Sequence, residues 1–115
     1  MVTLYGIPNC DTVKKARAWL DARGVSYVFH DYKKSGVDAA ALRRWVGELG
    51  WETLLNRRGT TFRKLPPELT TQLDEARAVD LMLSHPSAIR RPVVEGAGPL
   101  LVGFDEAAWA KAFEG

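Results

Sequence analysis

The sequence predicts an α/β fold in which a mixed sheet of about four strands is covered by helices on both faces. Three observations support this prediction: a strand-helix-strand pattern at the start, a long helical stretch in the middle, and a strand-turn-strand-helix pattern at the end. A βαβ unit gives parallel strands and a hairpin gives antiparallel ones, so the sheet should be mixed. The length of 115 residues suits one domain. We expect a single domain over residues 1–115, with a helical insert at about 37–85.

The βαβ pattern begins with VTLYG, residues 2–6, which is short, β-prone and followed by the turn sequence IPN. Apolar residues then recur at helical spacing until Arg23-Gly24, where the glycine predicts a helix end. The segment VSYVFHDY, residues 25–32, predicts the second strand. Because the links are short, the two strands should form a parallel pair.

Residues 37 to about 84 carry apolar side chains three and four apart, interrupted by glycines and by Pro66-Pro67. This spacing predicts several helices, including one over PPELTTQLDEA. In RPVVEGAGPLLVGF, two short apolar runs flank a glycine-rich turn, which predicts a hairpin with strands near 92–95 and 100–102. The final DEAAWAKAFEG predicts a helix whose acidic first turn suits its dipole.

The composition excludes several classes of protein. Hydrophobic residues make up 46% and charged residues 26%, which is ordinary for a globular domain. No segment approaches the roughly 20 apolar residues of a membrane span, and the N-terminus lacks signal-peptide features, so we expect a cytoplasmic protein with no membrane partner. A net charge of +2 is too small to predict nucleic-acid binding. Nothing in the sequence suggests an obligate interface, and we expect a monomer.

The only cysteine, Cys10, stands where the first helix is predicted to begin. A helix N-terminus favours an anion and lowers a thiol pKa from its free value of about 8.5, so this position favours a nucleophile. A free cysteine is otherwise a small buried hydrophobe, but the flanking Pro8-Asn9 and Asp11-Thr12 indicate a loop rather than a core segment. A lone cysteine cannot form an internal disulfide. Turnover by Cys10 would therefore need an external thiol, for which glutathione is the abundant cytosolic choice.

Two arginine pairs, in NRRG at residues 56–59 and in IRRP at residues 89–92, would suit a carboxylate, sulfonate or oxyanion. Paired arginines are also common on solvated surfaces, and the sequence leaves both readings open. His30 and His85 are too isolated to predict a metal site, and we expect none; His85 should end a helix before Pro86. The four tryptophans have core spacing and predict packing.

These residues resemble the arsenate reductase-like (ArsC-like) family of the thioredoxin superfamily. The matching segments are LYGIPNCDTVKKARAWL, LLNRRGTTFRKL, AVDLMLSHPSAIRRPVV and LLVGF, spread over nearly the whole chain. Within that family the chain is most similar to small bacterial proteins presumed to be glutathione-dependent thiol reductases. The resemblance implies a thioredoxin-like fold and an oxidoreductase without a bound cofactor, which uses glutathione as its reducing co-substrate.

The resemblance also implies roles for individual residues. Cys10 matches the catalytic nucleophile, and Arg58 and Arg91 match arginines that contact the substrate or glutathione. Pro92 matches the proline that thioredoxin-like folds place in the cis form opposite the catalytic thiol. Asn9 and Thr12 belong to the shared NCDT stretch, and we assign them to the same binding site.

Three functions are consistent with this resemblance. In the first, Cys10 attacks the disulfide of a small oxidised thiol, and glutathione resolves the adduct. The second is arsenate reduction coupled to glutathione or glutaredoxin; however, Gly103 stands where arsenate reductases of the family carry a third arginine. The third is a transcriptional regulator that binds RNA polymerase; that branch often has a C-x-x-C switch, in whose second cysteine position this chain has Val13.

Overall fold

The computed structural model describes residues 1–114. The sheet contains four strands: β1 (Val2–Gly6), β2 (Tyr27–Asp31), β3 (Val93–Glu95) and β4 (Leu101–Val102). The helices are α1 (Asp11–Ala22), α2 (Tyr32–Ser35), α3 (Ala39–Leu49), α4 (Trp51–Leu54), α5 (Thr60–Arg63), α6 (Pro67–Thr70), α7 (Glu75–Ser84) and α8 (Glu106–Glu114), with a 3₁₀ turn at Pro86–Ala88. None of the helices within residues 1–114 has the length and apolar character needed to cross a membrane.

The four strands form one mixed sheet in the order β2-β1-β3-β4. Strand β1 runs parallel to β2, with Tyr5 opposite His30, and antiparallel to β3, with Tyr5 opposite Val93. Strands β3 and β4 form the antiparallel hairpin that the sequence predicts. The predicted α/β fold with a mixed sheet of about four strands is therefore confirmed.

The contacts within the chain define two compact units. The sheet unit comprises Met1–Ser35 together with the chain from Arg91 onward, and the helical unit comprises Gly36–Arg90. The helical unit spans the segment where the insert is predicted. The single-domain assignment stays a prediction.

The core of the sheet unit joins one face of the sheet to helices α1 and α8. Trp109 of α8 is 1% exposed, and its ring meets those of Trp19 and Phe104 edge-on at 5.8 and 4.9 Å between centroids. The Trp109 indole nitrogen donates to the carbonyl of Gly103 at 3.1 Å. The buried members of this cluster are Leu4, Val13, Ala16, Trp19, Leu20, Val94, Leu101 and Trp109.

The helical unit has its own buried residues, supplied by α3, α4 and α7 and by the segments that follow α4 and α7. Asp38 caps α3 by accepting from the amide of Ala41, and Asp74 caps α7 by accepting from that of Arg77. As predicted, His85 ends α7, donating its amide to the carbonyl of Leu81. The largest fully buried side chains here are Leu42, Trp45, Leu54, Leu55, Met82 and Ile89.

Several boundaries differ from the prediction, among them both ends of the second strand, which begins at Tyr27 rather than at residue 25. The second strand ends at Asp31, because the Asp31 carboxylate accepts from the amides of Lys33 and Lys34 and starts the short helix α2 at Tyr32. The helix predicted over PPELTTQLDEA ends at Thr70. The chain then turns through Gln72, whose φ is +53°, before α7 begins.

Candidate active site

Cys10 lies in the sheet unit, four residues after β1, and is the N-cap residue of α1. Its backbone is extended, with φ −133° and ψ 124°, and its carbonyl accepts the first helical hydrogen bond from the amide of Lys14 at 2.9 Å. Strand β1 and helix α1 approach closely here, since a Cβ on Gly6 would lie 2.8 Å from a methyl group of Val13. Val13 occupies the position that the second cysteine of a C-x-x-C pair would have. It is fully buried and packs in the core of the sheet unit.

The environment of the Cys10 sulfur lowers its pKa below the ordinary thiol value. Partial burial works in the opposite direction and is the largest single influence. It is outweighed by the amides of Val13 and Thr12, by a hydrogen bond from Arg91, and by the positive charge of Arg91. The site therefore favours a thiolate, the nucleophilic form.

The antiparallel pairing of β1 with β3 explains why Arg91 reaches Cys10. Tyr5, near the end of β1, lies opposite Val93, the first residue of β3. The segment that follows β1 and the segment that precedes β3 consequently lie side by side at the same end of these two central strands. The Arg91-Pro92 peptide bond is cis, which is the form that the family resemblance implies, and Pro92 is buried.

The structure distributes the other predicted site residues between the two units. Asn9 and Thr12 are exposed on either side of Cys10. Arg58 belongs to the helical unit, where it lines a groove of about 360 Å³ together with Arg57 and Arg90. The pair in IRRP is thus divided, because Arg90 lines this groove whereas Arg91 interacts with Cys10. The remaining residues that line the groove are Glu52, Leu55 and Asn56.

Gly103 has a backbone role at the position where the family resemblance indicated a missing arginine. Its φ is +77°, a conformation that glycine adopts without strain. Its amide donates to the carbonyl of Pro92 at 2.8 Å, and its carbonyl accepts from Trp109. Gly103 thereby connects the residue next to Arg91 with helix α8.

A cluster of polar and aromatic side chains near Arg91 is absent from the sequence-based prediction. The Tyr5 hydroxyl donates to Glu95 at 2.8 Å, and the Tyr5 ring lies 4.9 Å from that of His30 and 6.4 Å from that of Tyr32. The signal in the sequence is weak: Glu95 lies two residues after Val93, which places these two side chains on the same face of β3. Among residues 1–114, no group of three or more His, Cys, Asp or Glu side chains is arranged to hold a metal ion.

The sequence pattern that defines the ArsC family matches residues 5–112 of the chain. The chain belongs to the ArsC family. A solved structure named YFFB protein is 57% identical and superposes with a TM-score of 0.94, covering 98% of this chain and 99% of that one. A structure of an arsenate reductase (ArsC) related protein from Brucella melitensis is 54% identical, with a TM-score of 0.75 and coverage of 98% and 94%.

Two curated relatives are similar to this chain over nearly its whole length. An uncharacterized protein from Haemophilus influenzae is 39% identical, over 98% of this chain and 99% of its own length. Global transcriptional regulator Spx 1 from Lactococcus lactis is 32% identical, over 92% and 84%. This ArsC family member is thus similar both to arsenate reductase-related proteins and to transcriptional regulators.

Proposed function

We propose that this ArsC family protein is a glutathione-dependent thiol-disulfide reductase with Cys10 as its nucleophile. The observation that carries the proposal is the lowered pKa of Cys10 at the start of α1, beside Arg91. A thiolate is the form that attacks disulfides. The relatives named as arsenate reductase-related support a reductase in general.

The proposed reaction has two exchange steps. The Cys10 thiolate attacks one sulfur of a small disulfide, forms a new S–S bond, and expels the other sulfur as a thiolate, which takes a proton from water. Glutathione thiolate then attacks the substrate sulfur of the mixed disulfide, and Cys10 leaves as a thiolate. After these two steps at Cys10, one substrate thiol has been released and the other is bound to glutathione in a mixed disulfide. A second glutathione attacks the glutathione sulfur of that disulfide and releases the second substrate thiol and oxidised glutathione, so that two glutathione thiols supply the two electrons. The low pKa of Cys10 helps both steps at Cys10, because a stabilised thiolate is also the better leaving group.

The resolving thiol must come from outside the chain, since the sequence has a single cysteine. In this proposal Arg91 and Pro92 hold the bound thiol ligand next to Cys10, with Asn9 and Thr12 beside it. Arg58 contributes a contact to an anionic group of the substrate or of glutathione. The enzyme acts as a cytoplasmic monomer, and glutaredoxin is its candidate protein partner.

The proposal is tested by a glutathione-coupled assay with bis(2-hydroxyethyl) disulfide, in which glutathione reductase oxidises NADPH. We expect turnover by the wild type and complete loss of the protein-dependent rate in Cys10→Ser. Circular dichroism of the variant checks that its fold is intact. A wild type with no activity on a panel of small disulfides, or an active Cys10→Ser protein, would contradict the proposal.

Arsenate reduction is a second candidate function, favoured by the arginine beside the thiolate and by the relative from Brucella melitensis. The Cys10 thiolate would displace water from arsenate to form an S–As bond, and glutathione would displace a second water. A further thiol, from glutathione or glutaredoxin, would then take the glutathione sulfur as a disulfide and leave two electrons on arsenic, and water would release arsenite from Cys10. Gly103 argues against strong oxyanion stabilisation, because it has no side chain at the position where the family resemblance indicates a third arginine. Arsenate-dependent NADPH oxidation in the same coupled assay distinguishes this function from disulfide reduction.

A regulatory role is the third candidate, favoured by the similarity to Spx 1. Here the fold would provide a surface for RNA polymerase, and Cys10 would not need to turn over. Titration of the protein against the C-terminal domain of the polymerase α subunit tests this role. If no binding is detected at tens of micromolar, which corresponds to a binding free energy of about −6 kcal/mol, the regulatory role is excluded.

A further inference from the structure

Two surface grooves of the helical unit are similar in size but differ in charge. A groove of about 330 Å³ between α3 and α7 combines one arginine, Arg43, with the carboxylates of Glu75 and Asp80. The groove of about 360 Å³ described above has three arginines and a single carboxylate, that of Glu52. We call this second groove the arginine groove. Its positive charge is a local feature, because a groove of similar volume in the same unit has an excess of carboxylates.

Backbone pairing holds together the two segments that supply the arginine groove. Leu55 and Ile89 form an isolated antiparallel bridge, and both side chains are buried. The amide of Arg90 donates to the carbonyl of Leu54 at 2.7 Å, and a second backbone hydrogen bond of 2.8 Å lies on the other side of the bridge. The segment that carries Arg90 is therefore held beside residues 56–58.

Most polar groups of the arginine groove are hydrogen-bond donors. The guanidinium of Arg57 lies 5.5 Å from the centre of the Trp51 ring, a cation–π contact that orients the guanidinium and leaves its charge in place. The side-chain oxygen of Asn56 accepts from the amide of Arg58 at 3.2 Å, so the NH₂ group of Asn56 remains as a donor. Because the positive charges of Arg57, Arg58 and Arg90 repel one another, an anion in the groove would relieve that repulsion.

A phosphate group suits this arrangement better than a single carboxylate. Glu52 neutralises at most one guanidinium, so three arginines and one glutamate leave a formal charge of +2 in the groove. A phosphate monoester carries about −1.5 to −2 near pH 7 on the oxygens of one phosphorus, and each guanidinium can donate two parallel hydrogen bonds to such oxygens. The volume of about 360 Å³ is in the range of small-molecule sites.

We propose that the arginine groove binds the phosphate group of a small ligand, which is either free phosphate or a phosphate monoester. Arg57 and Arg90 are the main contacts, and the proposed function gives neither of them a role. Arg58, assigned above to a substrate or glutathione contact, lines the same groove and contributes the third charge. All groups of this site belong to the helical unit, and binding requires no thiol chemistry.

NMR titration of the isotope-labelled full chain tests the proposal. Inorganic phosphate and glycerol 3-phosphate are titrated separately at about pH 7.5, where both are mainly dianions, with sodium chloride keeping the ionic strength constant. We expect saturable shifts of the signals of residues 56–58 and 90, with a Kd in the low millimolar range or below. Tighter binding of glycerol 3-phosphate would identify the ligand as a phosphate monoester, and equal or weaker binding would identify it as free phosphate.

Substitutions in the groove should weaken binding selectively. Arg57→Gln and Arg90→Gln should each raise the Kd about tenfold, because a charged hydrogen bond is lost. Arg90→Lys keeps the charge without the bidentate geometry and should have an intermediate effect. Arg43→Gln is the matched control: it removes an exposed arginine from the other groove, changes the net charge equally, and should leave the Kd unchanged. Signals remote from each substitution check that the variant is folded.

Two results would overturn the proposal outright: shifts that do not saturate at tens of millimolar phosphate, and an equal rise in Kd for Arg43→Gln, which would show only a general attraction of anions. Succinate, a dianion with two carboxylates, serves as the competing ligand class, and binding as tight as that of phosphate would also overturn it. The titration is independent of turnover. Saturable phosphate binding with a negative coupled assay would count against the reductase alone, and absent binding with an active enzyme against the phosphate site alone.

Discussion

The guanidinium of Arg91, two residues before β3, lowers the pKa of Cys10, which immediately precedes α1. The two residues are far apart in the sequence. The antiparallel pairing of β1 with β3 brings their segments together at the same end of these two strands. The interaction gives the thiolate a donor and a positive charge that the helix start alone does not provide.

Arg91→Gln should raise the pKa of Cys10, because the variant loses the guanidinium charge and its hydrogen bond while the partial burial that raises the pKa remains. The measurement is the pH dependence of iodoacetamide alkylation, followed by intact mass. The midpoint for the wild type should lie below the free-thiol value of about 8.5, and that of Arg91→Gln should be higher. Arg90→Gln, the neighbouring substitution in the helical unit, should leave the midpoint unchanged; an equal rise in both variants would show a non-specific charge effect.

The lowered pKa of Cys10 also predicts how stability depends on pH. A group whose pKa is lower in the folded state stabilises the fold fully above its unfolded pKa of about 8.5, and this contribution is lost as the pH falls through the folded pKa. The free energy of unfolding of the wild type relative to Cys10→Ser should therefore increase with pH up to that value. Urea unfolding across this range measures the difference. A difference that is constant with pH would mean that the thiol ionises equally in both states.

Arg58 and Arg57 are adjacent, exposed and line the same groove, which makes them a matched pair for testing the role that the family resemblance implies. Arg58→Gln should raise KM for the anionic thiol by roughly tenfold, corresponding to about 1.4 kcal/mol, through loss of a charged contact. Arg57, whose guanidinium lies 5.5 Å from the centre of the Trp51 ring, should have little effect when replaced by glutamine. Steady-state kinetics with varied glutathione measures both. Equal KM changes in the two variants would assign the effect to the general charge of the groove.

The close approach of β1 and α1 predicts opposite effects for two glycine substitutions. Gly6→Ala should lower the free energy of unfolding by about 1–3 kcal/mol, because its Cβ would overlap a Val13 methyl group at 2.8 Å. Gly47→Ala in α3 should raise it by about 0.5–1 kcal/mol, since its Cβ would meet nothing within 4 Å and alanine favours a helix. Chemical unfolding measures both values. Equal effects at the two positions would contradict the close approach at Gly6.

Local patterns in the sequence were sufficient to predict most of the fold. Short β-prone runs, helical spacing and glycine-rich turns act over a few residues, so they predicted all four strands and the order of the main helices. The same reasoning missed helix α2, which depends on the single side chain of Asp31 accepting from two amides. It also extended a helix past Thr70, where Gln72 adopts a left-handed conformation that its residue type does not require.

Three features of the site follow from the sequence: Cys10 stands at a helix start, it has no partner thiol in the chain, and arginine pairs are available for an anion. The fold was needed to show that Arg91 interacts with Cys10 while Arg90 lines a groove of the helical unit, and that Tyr32 is buried within the electrostatic influence of Arg91. The physical reason is that strand register and packing, which depend on residues distant in the sequence, select which side chains become neighbours. Helix starts and turns are local, whereas the electrostatic environment of a thiol is built from several segments at once.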